Sequence, residues 1–150
     1  METDLVAQLV ESARRRQMDV FVGGPASEDA IAVVEQHIGR PLPQEFRAYL
    51  SHFGCISLGD THLSGILAND PLAPEGGNML FDTAQLRAEQ PNLPGSHWAI
   101  LTHEDGAYCL DFSAQAAGEP AVVNFEHGHS MVVAQSFRHF VASYLQALAA

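Results

Sequence analysis

Lysine is missing from this chain: its 7 basic residues are all arginine, against 18 acidic ones, for a formal net charge of −11 over 150 residues. Such a balance repels a polyanion, so nucleic acid is excluded as a partner. Cysteine is scarce. Cys55 and Cys109 are too few for a secreted disulfide scaffold. The N-terminus has neither a basic leader region nor a continuous apolar stretch of signal-peptide type, and no apolar run approaches the ~20 residues needed to cross a bilayer. These absences lead us to expect a cytoplasmic protein with no membrane role. Internal repeats, linkers and low-complexity tracts are absent as well. Gly23-Gly24 and Gly76-Gly77 are read as loop glycines without the helix-opening context of a phosphate site.

What is present fits one domain over residues 1–150. With 47% hydrophobic residues, a chain of this length buries roughly 68–70% of its unfolded surface, so neither disulfide nor metal is needed for folding. Apolar repeats at Leu5, Val6, Leu9, Val10 and Ala13 predict a first helix over residues 2–18, its end marked by Arg14-Arg15-Arg16, which complement the macrodipole. Residues 19–25 read as an extended or turn segment. Ser27 is a good N-cap for a second helix with Glu28 and Asp29 in its first turn and Ile31, Val34 and Ile38 as its core stripe. Gly39 closes it in the left-handed conformation, and Pro43 opens a third helix that stops at Gly54. In that helix Phe46, Tyr49, Leu50 and Phe53 fall at i, i+3, i+4 and i+7.

Beyond Gly54 the periodicity shortens. Strands are expected over 55–58 and 62–67 about a Gly59-Asp60 turn, then a loop over 68–78 rich in proline and glycine, and a short helix capped by Asp82 and reaching Gln90. Residues 97–102 and 107–112 flank Glu104-Asp105-Gly106, the clearest hairpin, with Trp98, Ile100 and Thr102 on one face. Further strands are expected over 121–125 and 131–134. Ser136 then caps a last helix whose stripe is Phe137, Phe140, Val141, Tyr144, Leu145 and Leu148. Helices, then strands, then a helix give an α+β single domain, with a mainly antiparallel (mixed) sheet packed by N-terminal helices and a C-terminal helix.

Val34 to Pro43 with the aromatic helix after it, Trp98-Ala99-Ile100, Gly106 to Phe112, Gly118 to Val122, His127, and Ala134-Gln135-Ser136-Phe137 follow one another over about residues 26–148. In that order they resemble the SUKH superfamily of Smi/Knr-type proteins. Two departures stand out. Phe53-Gly54-Cys55 replaces the usual Asn-Gly-Gly, and the tyrosine and phenylalanine positions are exchanged as Phe46 and Tyr49. The resemblance implies a non-enzymatic immunity protein without cofactor that binds and neutralises a cognate bacterial toxin domain. Superfamily members face toxins of several chemistries, nucleases and deaminases among them, and others are regulatory adaptors, so a cytoplasmic adaptor for a host protein is the alternative.

The residues themselves add a charge argument. From Asp60 to Glu126 the acidic side chains face Arg87 alone, and such a field speeds encounter with a basic partner. We expect partner binding at Asp60, Asp70, Glu75, Glu104 and Asp105, which are charged and fall in predicted turns and loops. A small metal-dependent hydrolase is a third reading, since His127-Gly128-His129 would place two imidazoles on one side of an extended segment. Glu126, His103 or Cys109 could add a third ligand, but none stands at a signature spacing, so no metal site is expected. Cys55, flanked by His52 and His62, begins an apolar strand and reads as a small buried hydrophobe rather than a nucleophile.

Overall fold

The computed structural model describes residues 3–113, 119–145 and 147, and the α+β class holds. The first helix, α1 (Thr3–Arg15), buries Val6, Leu9, Val10 and Ala13 as the spacing requires. It stops short of residue 18 because Gln17 turns left-handed (φ 61°) and the Met18 N–H returns to the Ala13 carbonyl at 3.0 Å. That is a Schellman closure with glutamine in the place glycine usually takes.

Strand β1 (Val20–Val22) leads to α2 (Glu28–Ile38), where the Ser27 hydroxyl accepts from Ala30 N–H and Gly39 closes the helix at φ 81°, ψ 11°. In α3 (Gln44–Phe53), Pro43 occupies the extended residue before the helix (ψ 147°) rather than its first turn. The junction between these helices is held by one carboxylate: Glu35 accepts from Leu42 N–H at 2.7 Å and from Arg47 at 2.8 Å. Arg47 reaches Glu28 as well.

Gly54 ends the third helix as expected, but not in the left-handed conformation that Gly39 adopts. The Gly54 φ of 74° and ψ of −69°, with Cys55 N–H donating to Phe53 carbonyl at 2.8 Å, describe the rare positive-φ γ-turn. The chain thereby reverses sharply into β2 (Ile56–Leu58) and β3 (Thr61–Leu63). The expected strand over 62–67 ends at Leu63, because Ser64 N–H leaves the hairpin to bond Ile100 carbonyl at 2.6 Å and Gly65 bridges Asn78 in parallel.

Helix α4 (Met79–Glu89) begins three residues before the expected cap, so Asp82 lies in its first turn. β4 (His97–His103) and β5 (Gly106–Asp111) form the hairpin predicted around Glu104-Asp105, followed by β6 (Ala121–Glu126) and β7 (His129–Ala134). The sheet is divided: β1-β2-β3 form one antiparallel sheet and β4-β5-β6-β7 another. A register shift between Ala99 and Leu101 breaks the alternation in β4, so Ala99, Ile100 and Leu101 are all buried while Thr102 faces out. Trp98, Ile100 and Thr102 therefore do not share one face.

Both faces of the four-stranded sheet are covered except along β7, where His129, Ser130, Met131 and Val132 are exposed. Ile100, Tyr108, Leu110 and Val122 belong to the main core with α1, α2, α3 and the closing helix, whereas Ala99, Ala107, Cys109, Val123 and Phe125 pack with Leu86 of α4 and Leu93. The closing helix starts as α5 (Phe137–His139), capped by the Ser136 hydroxyl, and continues in π-helical turns over Phe140–Leu145. Phe137 stands edge-on to Phe46 at 4.9 Å. Gly118 and Leu148, and the side chains of Tyr144 and Leu145, lie outside the described residues.

Candidate functional site

Helix α4 positions a concave surface of the protein. Three contacts fix it on β4: Thr83 Oγ1 accepts from Ala99 N–H at 2.9 Å on the open edge of the sheet, Arg87 donates to the His97 carbonyl at 3.0 Å, and its guanidinium lies 4.8 Å from the centre of the Trp98 ring. On either side of the helix's first turns are two cavities. The wider, about 390 Å³, lies against the three-stranded sheet and the loop before α4; Phe21, Cys55, His62, Leu67, Gly77 and Asp82 are among its walls. The narrower, about 240 Å³, runs between α4 and the β4–β5 hairpin and includes Asp82, Glu89, His103 and Glu104. Asp82 and Thr102 line both, so the two cavities adjoin at these residues and are taken together as the α4 groove. Among the described residues lining it there are three carboxylates and no arginine.

Asp82 is the centre of this groove. Its Oδ2 accepts from the Ser64 hydroxyl at 2.6 Å and the Gly77 N–H at 3.2 Å. Burial raises the pKa of its carboxyl above the usual carboxylate value; the Ser64 bond, the Gly77 N–H and nearby His62 only partly offset this. Gly76-Gly77 do precede a helix, contrary to expectation, but the Gly77 N–H is already met by Asp82, an anion of the chain itself. Cys55 in the same wall has its thiol pushed up to about 11, by burial first and by Asp82 second. It is therefore a protonated thiol at neutral pH, the opposite of an activated nucleophile. His52 bonds the Ala48 carbonyl and His62 the Ser57 hydroxyl, which leaves the imidazoles engaged elsewhere.

Of the five acidic residues expected at a partner surface, all are exposed, and only Glu104 lines the groove. Asp60 lies in the β2–β3 turn; Asp70 and Glu75 lie in the loop before α4, where Asn78 Nδ2 ties the Asp70 carbonyl at 3.0 Å. Asp105 points toward another turn, with its carboxylate 3.6 Å from His127 Nε2. Asp82 and Glu89 were not expected. Asp82 reads from sequence as a helix cap, and only the true start of α4 at Met79 turns it into a groove residue.

The histidine cluster is also rearranged. His127 and Gly128 form a turn with φ of 53° and 78°, so the His127-Gly128-His129 segment is not extended. His103, Asp105 and Glu126 do bring ligand atoms within 4.8 Å of one another. Both His103 nitrogens are engaged, however: Nδ1 accepts from Asp105 N–H at 3.2 Å and Nε2 pairs with Asn124 Oδ1 at 2.7 Å. A cation taking that imidazole would have to displace one of them.

Comparison with known families places this architecture. The family model SUKH_5, described as SMI1-KNR4 cell-wall, matches residues 4–146. The chain belongs to the SUKH superfamily. No curated protein matches it. Within this SUKH domain the match spans every strand and helix that builds the groove, including the β1 and α4 walls. Among the described residues no helix is long and apolar enough to cross a membrane.

Proposed function

We propose that this SUKH domain is a cytoplasmic immunity-type binding protein that neutralises a cognate bacterial toxin domain by docking it on the acidic groove beside α4. The observation that carries the reading is the groove itself: Asp82, Glu89 and Glu104 line two adjoining cavities with no arginine among their described walls. The whole chain carries a formal net charge of −11. Asp60, Asp70, Glu75 and Asp105 extend the acidic field outside the groove, where they steer a basic partner and raise its on-rate. An interface of ordinary size, about 1,600 Å² in total, would cover the groove and part of this rim. No cofactor enters the scheme, since the work is binding and not chemistry.

The test pairs the protein with the toxin domain encoded beside its gene. Co-expression is expected to restore growth of cells producing that domain, and the measured affinity is expected to fall steeply as salt rises from low to moderate concentration. Lysine replacements at Asp60, Asp70, Glu75, Glu104 and Asp105 together are expected to slow association. An adjacent toxin that still kills, or binding indifferent to both salt and the five replacements, refutes the reading. Stable association with a resident host protein instead would favour an adaptor.

A further inference from the structure

We infer that the wider cavity is a receptor for a single arginine side chain presented by the partner, with Asp82 Oδ1 as its anionic acceptor. The inference rests on the binding function proposed above and names the chemistry that the groove recognises. It begins with how Asp82 is held. Both described hydrogen bonds to its carboxylate fall on Oδ2, from Ser64 and Gly77, which fixes the carboxylate's orientation and leaves Oδ1 without a described donor. A partly buried carboxylate with one oxygen uncommitted is costly to keep ionised without a cation. The cavity supplies room for that cation.

The walls suit a guanidinium better than an ammonium. Phe21, Ser57 and His62 are paired in register across β1, β2 and β3, so they form one row on one face of the sheet, and all three line the cavity. Phe21 is 51% exposed on an edge strand, although it is a large aromatic. A planar guanidinium stacks on such a ring and is more weakly hydrated than an ammonium, so it loses less on entering a half-buried site. The half-buried Leu67 offers apolar surface to the aliphatic stem. The hydroxyls of Ser57 and Thr102 provide acceptors for N–H groups that Asp82 does not meet. The helix N-terminus does not argue for an anion here, because the Gly77 N–H is served by Asp82 itself.

The experiment uses the full chain, labelled with ¹⁵N, and three capped tripeptides: glycyl-arginyl-glycine, its lysine counterpart, and its citrulline counterpart, which keeps the shape without the charge. The arginine peptide is expected to give saturable amide shifts at Ser64, Gly77 and Asp82, with affinity at least fivefold above the citrulline peptide and above the lysine peptide. Asp82→Asn keeps the size and an acceptor for Ser64 and is expected to abolish that preference. Phe21→Ala, an exposed change that does not threaten folding, is expected to weaken arginine binding severalfold, and Asp29→Asn, on α2 and outside the cavity walls, to leave it intact. Equal binding of arginine and citrulline peptides, or a preference that survives both Asp82→Asn and Phe21→Ala, overturns the inference. Toxin neutralisation separates the two claims: a cognate toxin fully blocked by the Asp82→Asn protein would remove the arginine receptor and leave the immunity reading standing.

Discussion

Two glycines that end consecutive helices give a direct test of how the fold brings its backbone together. Replacing Gly39 by alanine asks only for a left-handed residue: φ is 81°, and no atom lies within 4 Å of the added Cβ. The expected cost is about 1–2 kcal/mol. Gly54→Ala asks for more. Its φ of 74° and ψ of −69° belong to a γ-turn that side chains avoid, and the new Cβ would lie 2.1 Å from the Gly24 carbonyl oxygen and 2.5 Å from that of Ile66. Both obstacles are backbone, so relief requires moving the 24 and 66 segments apart, adding roughly 1–3 kcal/mol as in overpacked cores. The total is about 2–5 kcal/mol. Urea denaturation of the two variants against the parent measures the difference, and thermal melts should follow at roughly 2–4 °C per kcal/mol for a chain of this length. If the two variants lose the same stability, the close crossing at Gly54 contributes nothing and the reasoning fails.

Two further expectations concern the core. Tyr49→Phe removes a fully buried hydroxyl that donates to the Leu63 carbonyl at 2.8 Å; a loss of about 1–2 kcal/mol in urea is expected, and an unchanged midpoint would show that Leu63 and Ser64 need no donor there. His97 is buried with Nε2 at 2.9 Å from Ser130 Oγ, and burial lowers its pKa despite the opposing pull of Asp111. Its folded pKa lies below its unfolded one, so the unfolded chain binds more protons: stability should be full above about pH 6.5 and fall as pH drops toward the folded pKa. Urea midpoints from pH 8 to 5 should decline less steeply in His97→Gln than in the parent, and identical slopes would contradict the assignment.

Which parts of this molecule could be read from its sequence follows from how local their causes are. Ser27, Gly39 and the stripe of Phe46, Tyr49 and Leu50 were legible because a cap or a 3.6-residue period is written within a few neighbours. The hairpin at Glu104-Asp105 was legible for the same reason. The division of the sheet was not, since it depends on Ser64 leaving its hairpin for Ile100, 36 positions along the chain by residue number. Nor was the γ-turn at Gly54, whose need becomes visible only when Gly24 and Ile66 are seen to cross it. Charge behaved differently again. The excess of acid over base was evident from composition, and picking residues from turns located exposed carboxylates, all five of them. Exposure, however, selects groups already satisfied by water, whereas recognition favours a charge that water serves poorly and a partner serves well. Asp82 is that kind of group: it is partly buried, oriented through one oxygen, and placed where two cavities meet. It escaped the sequence reading because its position in the first turn of α4 has a complete local explanation as a helix-start residue. A carboxylate with a sufficient local role can carry a second one that only the surrounding walls reveal.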